Sequence, residues 1–284
     1  MMRFVAVAVV WALVVGCEAT GTLDRTEPAE PVHKGQGEPG LRLPEGFSAG
    51  AFFPPHRAAC FLLVSPSGEE VIRFGPERCA ERVAPCSTFK VVNSLIGLES
   101  GVVEGPEEIF AWDGEERSRA ITNRDHTLRT AFQYSVVWVY QEIARRVGQE
   151  RMQRFVDAIP YGNRDLSGGL TQFWLGSSLR ISADEQVGLL QRLMRDELPF
   201  SAENQAIVRD ILIQETRGDV VLRGKTGSHG YEGHDLGWFV GVLSRPDGDW
   251  IFACNLEGKE TFGTTARHVT LEILTAVGLW PAGA

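Results

Sequence analysis

Apolar residues follow two different spacings along this chain, and the two spacings separate its ends from its middle. Toward both ends, short apolar runs are bounded by proline, glycine and serine, which is typical of β-strands. In the middle, apolar residues recur every three or four positions, as on the buried face of a helix. Strands are predicted at residues 58–65, 70–74, 219–225, 235–244 and 250–256. Because the early pair can join the late strands, the pattern predicts one antiparallel sheet of five strands.

The helix predicted to begin at Ser87 is apolar on nearly every side. Such a helix is expected to be central and buried rather than to lie on the surface. Further helices are predicted at residues 152–159, 183–194, 202–215 and 263–277. The predicted fold class is therefore α/β of the α+β type: an antiparallel five-stranded sheet flanked by helices, with a mainly helical lobe inserted at about 102–215.

The N-terminal part of the chain differs from the rest. Arg3 and the apolar run that follows it are typical of a secretory signal peptide. The run is too short for a membrane-spanning helix, which needs about 20 apolar residues. We therefore predict a signal peptide over residues 1–16, a flexible tether rich in Glu, Pro, Gly and Thr over 17–45, and one folded domain over 46–284.

The end of the signal segment, Val14-Val15-Gly16-Cys17, resembles a bacterial lipobox. This resemblance implies that Cys17 is lipidated and becomes the mature N-terminus, from which the tether holds the domain away from the membrane. A plain signal peptide with a chance cysteine is the alternative. The expected location is periplasmic, with membrane contact only through the N-terminal lipid anchor.

Charge and histidine content exclude two classes of protein. The net charge is −9, and lysine and arginine form no cluster, which argues against a nucleic-acid-binding protein, because such proteins need basic patches for phosphate contacts. His229 and His234 are five residues apart in a glycine-rich segment without further ligand candidates. No metal site is predicted from them.

Four cysteines follow Cys17, and export permits disulfides between them. Cys79 and Cys86 flank a short loop, so a disulfide between these two residues is one candidate and two free thiols are the alternative. Cys60 and Cys254 lie in predicted strands and are expected to be buried thiols.

Ser87 and Lys90 form the first candidate for chemistry. On a helix, residues three apart share a face, so the serine hydroxyl and the lysine amine can meet. A serine hydroxyl is a weak nucleophile until a neighbouring base takes its proton. Lys90 can be that base only if its amine is neutral, which requires that burial lower its pKa from the usual value of about 10.4.

Further motifs follow this pair in a particular order. S-x-x-K and K-T-G occur together in class A β-lactamases and penicillin-binding proteins, where S-D-N stands between them. Here the middle motif is S-V-V. The five motifs are Ser87-Thr88-Phe89-Lys90, Ser135-Val136-Val137, Tyr161-Gly162-Asn163, Phe173-Trp174-Leu175 and Lys225-Thr226-Gly227. Together, over residues 50–280, they resemble the class D serine β-lactamases of the oxacillinase type.

This resemblance implies the serine β-lactamase/D,D-peptidase-like fold and hydrolysis of β-lactam amides through an acyl-enzyme on Ser87. It also implies that Lys90 reacts with carbon dioxide to become N6-carboxylysine, the general base for acylation and deacylation. The indole N–H of Trp174 would hold the carbamate. A dry pocket for it would be formed by Phe89, Val137 and Leu175.

The resemblance also assigns the substrate-binding residues. Ser135 would relay the proton to the lactam nitrogen. The charge of Lys225 and the hydroxyl of Thr226 suit a substrate carboxylate, Gly227 would let the substrate approach the strand, and Arg267 would be a second carboxylate-binding cation. The oxyanion would be bound by the backbone amides of Ser87 and Ser228. Substrate choice would depend on the rim segments 112–119 and 228–235.

Two related functions remain as alternatives. One is a β-lactam-sensing receptor domain that is acylated without turnover. The other is a D,D-peptidase or penicillin-binding protein, against which the apolar third residue of S-V-V argues. The expected partners are small β-lactam molecules, and no metal or organic cofactor is expected beyond carbon dioxide or bicarbonate. The sequence assigns no oligomeric state.

Overall fold

The computed structural model describes residues 41–231 and 234–282. Its strands are β1 (Ala58–Val64), β2 (Glu70–Phe74), β3 (Ile109–Phe110), β4 (His126–Thr127), β5 (Ile213–Arg217), β6 (Val220–Tyr231), β7 (His234–Arg245) and β8 (Gly248–Gly258). Six of them form one sheet in the order β2-β1-β8-β7-β6-β5, and every neighbouring pair is antiparallel. The short strands β3 and β4 pair separately.

The helices are α1 (Pro76–Ala80), α2 (Lys90–Glu99), α3 (Leu128–Gln133), α4 (Val137–Val147), α5 (Gln149–Ala158), α6 (Ala183–Met194), α7 (Ala202–Ile211) and α8 (Gly263–Ala276). Three 3₁₀ turns lie at Ala49–Phe52, Cys86–Phe89 and Ala120–Thr122. As the sequence analysis predicted, the helices between β4 and β5 form a lobe, and the first and last parts of the domain supply the sheet.

Alternation along β1 shows how the sheet is buried on both faces. Leu62 packs into the cluster that contains α2 and the helical lobe, whereas its neighbours Phe61 and Leu63 pack into the cluster that contains α8. All three side chains are buried. Because successive strand residues point to opposite faces, a strand covered on both sides has to be apolar at nearly every position.

The apolar helix predicted from Ser87 is the central helix of the domain. It begins as the 3₁₀ turn Cys86–Phe89 and continues as α2, in which every residue from Lys90 to Leu98 is buried. α4 and α7 pack against it from the helical lobe. The structure therefore holds the catalytic candidates Ser87 and Lys90 at the start of the most enclosed helix.

The sheet has six strands rather than the five predicted, because residues 213–217 form a strand and not the end of a helix. α7 ends at Ile211, and after Leu212 the five residues of β5 alternate between half-buried and exposed positions along the edge of β6. Gly218, with φ +57°, closes the turn between the two strands. A short segment of mixed polarity fits both the helical and the strand spacing of apolar residues, and pairing with β6 makes this one a strand.

The predicted disulfide is wrong in its partners. Cys79 is bonded to Cys60, and Cys86 and Cys254 are buried free thiols. The cause is the path of the chain after β2: α1 packs back against β1 and brings Cys79 beside the strand that carries Cys60. The Cys86 thiol instead donates a hydrogen bond to the Ala84 carbonyl, 3.4 Å away.

Several predictions fall outside the described residues. The predicted signal peptide over residues 1–16, the predicted lipidation of Cys17 and most of the predicted tether fall in the part of the chain that the structure does not describe. In residues 41–231 and 234–282, no helix is long and apolar enough to cross a membrane.

The disulfide assignment can be tested by peptide mapping of the oxidised protein. Digestion without reductant is expected to give one linked peptide pair, containing Cys60 and Cys79. Cys86 and Cys254 are expected to react with an alkylating reagent only after unfolding, because both thiols are buried. A linked peptide that contains Cys86 would contradict the assignment, and a reduced digest is the control.

Candidate active site

A cleft of about 450 Å³ lies where β6 faces the helical lobe. β6 is paired with β5 only as far as Arg223, so its following residues are free to border the cleft. The lining residues come from the start of the central helix, the loop before the 3₁₀ turn Ala120–Thr122, the α3–α4 junction, β6 and α8. They are Ser87, Arg119, Gln133, Tyr134, Ser135, Val137, Thr226, Gly227, Ser228 and Thr264. None of these side chains is a carboxylate, a thiol or an imidazole.

Ser87 and Lys90 meet as the helical spacing predicted. The Lys90 amine lies 2.8 Å from the Ser87 hydroxyl oxygen, and Lys90 is fully buried. Cys86, the residue before Ser87, has φ +53°, a left-handed conformation that is strained for a residue with a side chain. This turn directs the chain into the 3₁₀ turn and places Ser87 on the wall of the cleft.

Burial lowers the pKa of Lys90 well below its usual value, and the positive charge of Lys225 lowers it further. Both effects disfavour the ammonium form, because a buried charge loses its hydration and a second cation repels it. Both effects therefore favour the neutral amine, which is the form that can accept the proton of Ser87. The direction of the shift is the one that a lysine base requires.

Aromatic rings enclose this part of the site. Phe89 stacks on Trp174 with ring centroids 5.8 Å apart, and the Tyr140 ring lies 5.2 Å from the Lys90 amine. Trp174 is fully buried, and its indole nitrogen has no hydrogen-bond partner among the described residues. Leaving a buried donor without an acceptor costs about 1–3 kcal/mol. Such an atom points to an acceptor that arrives with the chemistry of the site.

The predicted pocket residues occupy different depths. Val137 lines the cleft, Phe89 is fully buried behind it, and Leu175 is half-buried against the core. The sequence analysis missed Tyr140, whose ring faces the Lys90 amine. Its spacing of three residues from Val137 on α4 places both on one helix face and could have identified it.

Ser135 and Lys225 form the second polar pair of the cleft. The Lys225 amine donates to the Ser135 hydroxyl at 3.0 Å and to the Thr226 carbonyl at 3.0 Å. Ser135 lies between α3 and α4 with φ +55°, so a left-handed turn aims it into the cleft. Burial, followed by the charge of Arg119, lowers the pKa of Lys225 to about 7.

The strand residues after Lys225 fit tightly against their surroundings. A side chain at Gly227 would lie 3.0 Å from the Pro85 carbonyl, and one at Gly263 would lie 2.7 Å from the Gly227 carbonyl. The Ser228 hydroxyl accepts a hydrogen bond of 2.9 Å from the Gly263 amide, the first residue of α8. The side chain of Ser228 thus attaches β6 to α8, and the backbone of Ser228 borders the cleft.

Arg267 was predicted to bind substrate, but it does not line the cleft. Its guanidinium lies 3.5 Å from the Glu215 carboxylate, on the side of β5. Its role as a second carboxylate-binding cation stays a prediction. Arg119 lines the cleft and was missed, although it belongs to the predicted rim segment 112–119. A single arginine in a loop carries no motif from which its position could be inferred.

The described part of the chain contains no group of three or more His, Cys, Asp or Glu residues that could hold a metal ion. The His229 ring lies close to Gly176, where a side chain would come within 2.3 Å of it. His229 therefore packs against the loop that follows Trp174, and burial lowers its pKa.

Similarity to known proteins agrees with this geometry. A family model described as the penicillin-binding protein transpeptidase domain matches residues 60–276. A probable β-lactamase, YbxI of Bacillus subtilis (strain 168), is 41% identical over 77% of this chain and 80% of its own length. A solved class D β-lactamase from Bacillus subtilis is 38% identical with a TM-score of 0.78, covering 84% of this chain and 98% of that one. The chain belongs to the class D β-lactamases.

The predicted family and fold class are thereby confirmed, and this class D enzyme is a serine hydrolase. It is also similar to a receptor domain: the C-terminal domain of the Bacillus licheniformis BlaR penicillin receptor is 30% identical with a TM-score of 0.79. That match covers 83% of this chain and 96% of the receptor domain.

In this class D β-lactamase, the turn at Tyr161-Gly162-Asn163 braces the loop that carries Trp174. The Asn163 amide group donates to the Ser178 carbonyl and accepts from the Arg180 amide, both at 2.9 Å. Gly162 has φ +54°, and a side chain there would lie 1.8 Å from the Arg180 carbonyl oxygen. Only glycine fits this position without moving the loop.

Gly162→Ala tests this bracing role in the β-lactamase, with Gly169→Ala as the control. Gly169 also has a left-handed φ, +98°, but nothing lies within 4 Å of an added side chain. The control variant should therefore lose only about 1–2 kcal/mol of unfolding free energy, which is the cost of the backbone strain. Gly162→Ala should lose roughly 1–3 kcal/mol more, because the loop has to move. Denaturant unfolding measures both, and equal losses would contradict the proposed fit.

Proposed function

We propose that this protein hydrolyses β-lactams through an acyl-enzyme on Ser87, with carboxylated Lys90 as the general base for both half-reactions. The observation that carries the proposal is the composition of the cleft. Its lining side chains contain no carboxylate, thiol or imidazole, and among the described residues the amine that contacts Ser87 is that of the buried Lys90, whose pKa is lowered. This composition supports Lys90 as the residue on which the base for Ser87 and for the deacylating water is built.

The residues around Lys90 fit a carbamate. The neutral amine adds to the carbon of CO₂: the N–C bond forms, one C–O π bond breaks to leave an anionic oxygen, and the nitrogen gives up one proton to water. The product supplies an anionic oxygen that accepts a proton more readily than a buried amine. The unpartnered indole N–H of Trp174, which stacks on Phe89 next to Lys90, is a donor suited to such an oxygen.

The remaining steps use residues of the chain that already border the cleft. Ser87 attacks the lactam carbonyl, and the amides of Ser87 and Ser228 bind the oxyanion. Ser135 passes a proton to the lactam nitrogen as the C–N bond breaks, and Lys225, hydrogen-bonded to Ser135, supports that transfer. Lys225 and Thr226 bind the substrate carboxylate. Water then cleaves the acyl-enzyme.

Two other functions use the same nucleophile. Similarity to the BlaR domain favours a sensor that stays acylated as the second candidate. The matched family model, named for penicillin-binding proteins, keeps a D,D-peptidase as the third. Turnover separates the first from the second, and release of terminal D-alanine from a cell-wall peptide identifies the third.

We also propose that the protein acts outside the cytoplasm. The basic and apolar start of the chain and the lipobox-like Val14-Val15-Gly16-Cys17 support export and lipidation of Cys17. A tethered hydrolase in the periplasm would destroy β-lactams before they reach their targets, which would give resistance to these antibiotics. No metal or organic cofactor takes part in the proposed reaction.

The hydrolase proposal is tested with a chromogenic cephalosporin in large molar excess over the protein. Wild type is expected to consume all of it, whereas Ser87→Ala should lose both hydrolysis and the covalent adduct seen by mass spectrometry. Ser100→Ala, at the far end of the same helix, is the control and should keep activity. A single burst without steady turnover would support the sensor instead.

The carbamate proposal predicts a bicarbonate-dependent loss of activity in acid. Below the lowered pKa of Lys90, the ammonium form can neither add to CO₂ nor accept a proton, so activity should fall as pH falls and recover with bicarbonate. Trp174→Phe keeps an aromatic ring but removes the N–H. This variant should require about tenfold more bicarbonate, or more, for half-maximal activity, because it loses one hydrogen bond to a charged group.

Trp250→Phe is the matched control for this experiment. Trp250 is also buried and its indole nitrogen also lacks a partner among the described residues, but it belongs to the hydrophobic cluster on the α8 face of the sheet. Its variant should keep the bicarbonate dependence of wild type. Activity of wild type that does not respond to bicarbonate at acidic pH would refute the carbamate and leave the unmodified amine as the base.

A further inference from the structure

Arg119 is held at the cleft by its backbone. Its carbonyl accepts two hydrogen bonds from Thr122, one from the amide at 2.9 Å and one from the hydroxyl at 2.7 Å. The Thr122 carbonyl in turn accepts a bond of 2.9 Å from the indole of the buried Trp138 on α4. The backbone of Arg119 is thus attached to the helical lobe, while its side chain is exposed and lines the cleft with Ser87 and Ser135.

The neighbouring arginines have partners of their own. Arg117 is paired with the carboxylates of Asp113 and Glu115, and Arg124 lies over the Tyr134 ring at 5.5 Å. Arg119 forms no ion pair or side-chain hydrogen bond within residues 41–231 and 234–282. Its charge nevertheless acts on the site, because it lowers the pKa of both Lys225 and Lys90.

The cleft therefore carries positive charge that no protein carboxylate balances, in a chain whose net charge is −9. In the proposed function, Lys225 and Thr226 bind the carboxylate on the bicyclic ring of a penicillin. Lys225 is nearly fully buried, whereas Arg119 is exposed and belongs to a different wall. The Arg119 guanidinium, which has five N–H donors, can therefore bind a second anionic group of the substrate.

We propose that Arg119 binds a carboxylate on the acyl side chain of the β-lactam and so favours dianionic over monoanionic substrates. The proposal rests on the proposed function, because it assumes that β-lactams acylate Ser87. It concerns substrate choice rather than the reaction steps, since Arg119 contacts neither Ser87 nor Lys90 through a hydrogen bond.

Two penicillins that differ in one group provide the test. The first has a phenylacetyl side chain, and the second has the same side chain with an added α-carboxylate. Stopped-flow or mass-spectrometric measurement gives the second-order rate constant of acylation of Ser87 for each. In Arg119→Gln, the ratio of the dianionic to the monoanionic constant is expected to fall about five- to tenfold, as for one partly exposed charge-assisted hydrogen bond.

Arg119→Lys should keep part of the wild-type preference for the dianionic penicillin, because the charge remains although the planar arrangement of donors is lost. Arg124→Gln removes a positive charge from the same segment but changes no residue that lines the cleft. It should leave the ratio within about twofold of wild type. Raising the salt concentration should lower the wild-type ratio and leave that of Arg119→Gln nearly unchanged, since screening weakens exposed charge pairs.

The outcomes distinguish the Arg119 proposal from the hydrolase proposal. An unchanged ratio in Arg119→Gln would overturn the side-chain assignment. If that unchanged ratio came with an equal loss for both penicillins, Arg119 would bind the ring carboxylate instead. Acylation by both penicillins without turnover would refute the hydrolase while leaving the Arg119 result valid, because acylation is what is measured. Absence of acylation in wild type would overturn both proposals.

Discussion

The burial of one lysine amine is the constraint on which the rest of this structure depends. Lys90 is the first residue of α2, and every residue of the helix from Lys90 to Leu98 is buried. Placing an ammonium ion there would cost several kcal/mol in lost hydration. The site has no carboxylate that would offset this cost, and Lys225 adds repulsion. Burial therefore favours the neutral form of an amine that lies 2.8 Å from the nucleophile, so the burial that organises the core also favours a base beside Ser87.

The walls of the cleft come from parts of the chain that are far apart in sequence. Left-handed turns at Cys86 and Ser135 place two serines on the cleft from opposite sides, and β6 continues past its pairing with β5 to form the third wall. Each turn costs backbone strain that packing elsewhere has to offset. The Ser228 hydroxyl and the close approach of Gly263 attach α8 to that third wall.

The thiol next to the nucleophile shows how burial also suppresses chemistry. Cys86 precedes Ser87, yet burial raises the pKa of its thiol to about 12, and the thiol bonds to a backbone carbonyl. A thiol needs its ionised form to be a strong nucleophile, so Cys86 does not compete with Ser87. The disulfide lies instead between β1 and α1, and neither of its cysteines lines the cleft.

The sequence by itself determined what depends on neighbours along the chain. The i, i+3 spacing of Ser87 and Lys90, the helix over residues 183–194 and the strand periods were all visible, and the structure has each of them. Only the tertiary structure decided the partner of Cys79, the strand at 213–217 and the placement of Arg119 in the cleft. These features arise from contacts between distant segments, where several pairings satisfy the same local pattern and packing selects one.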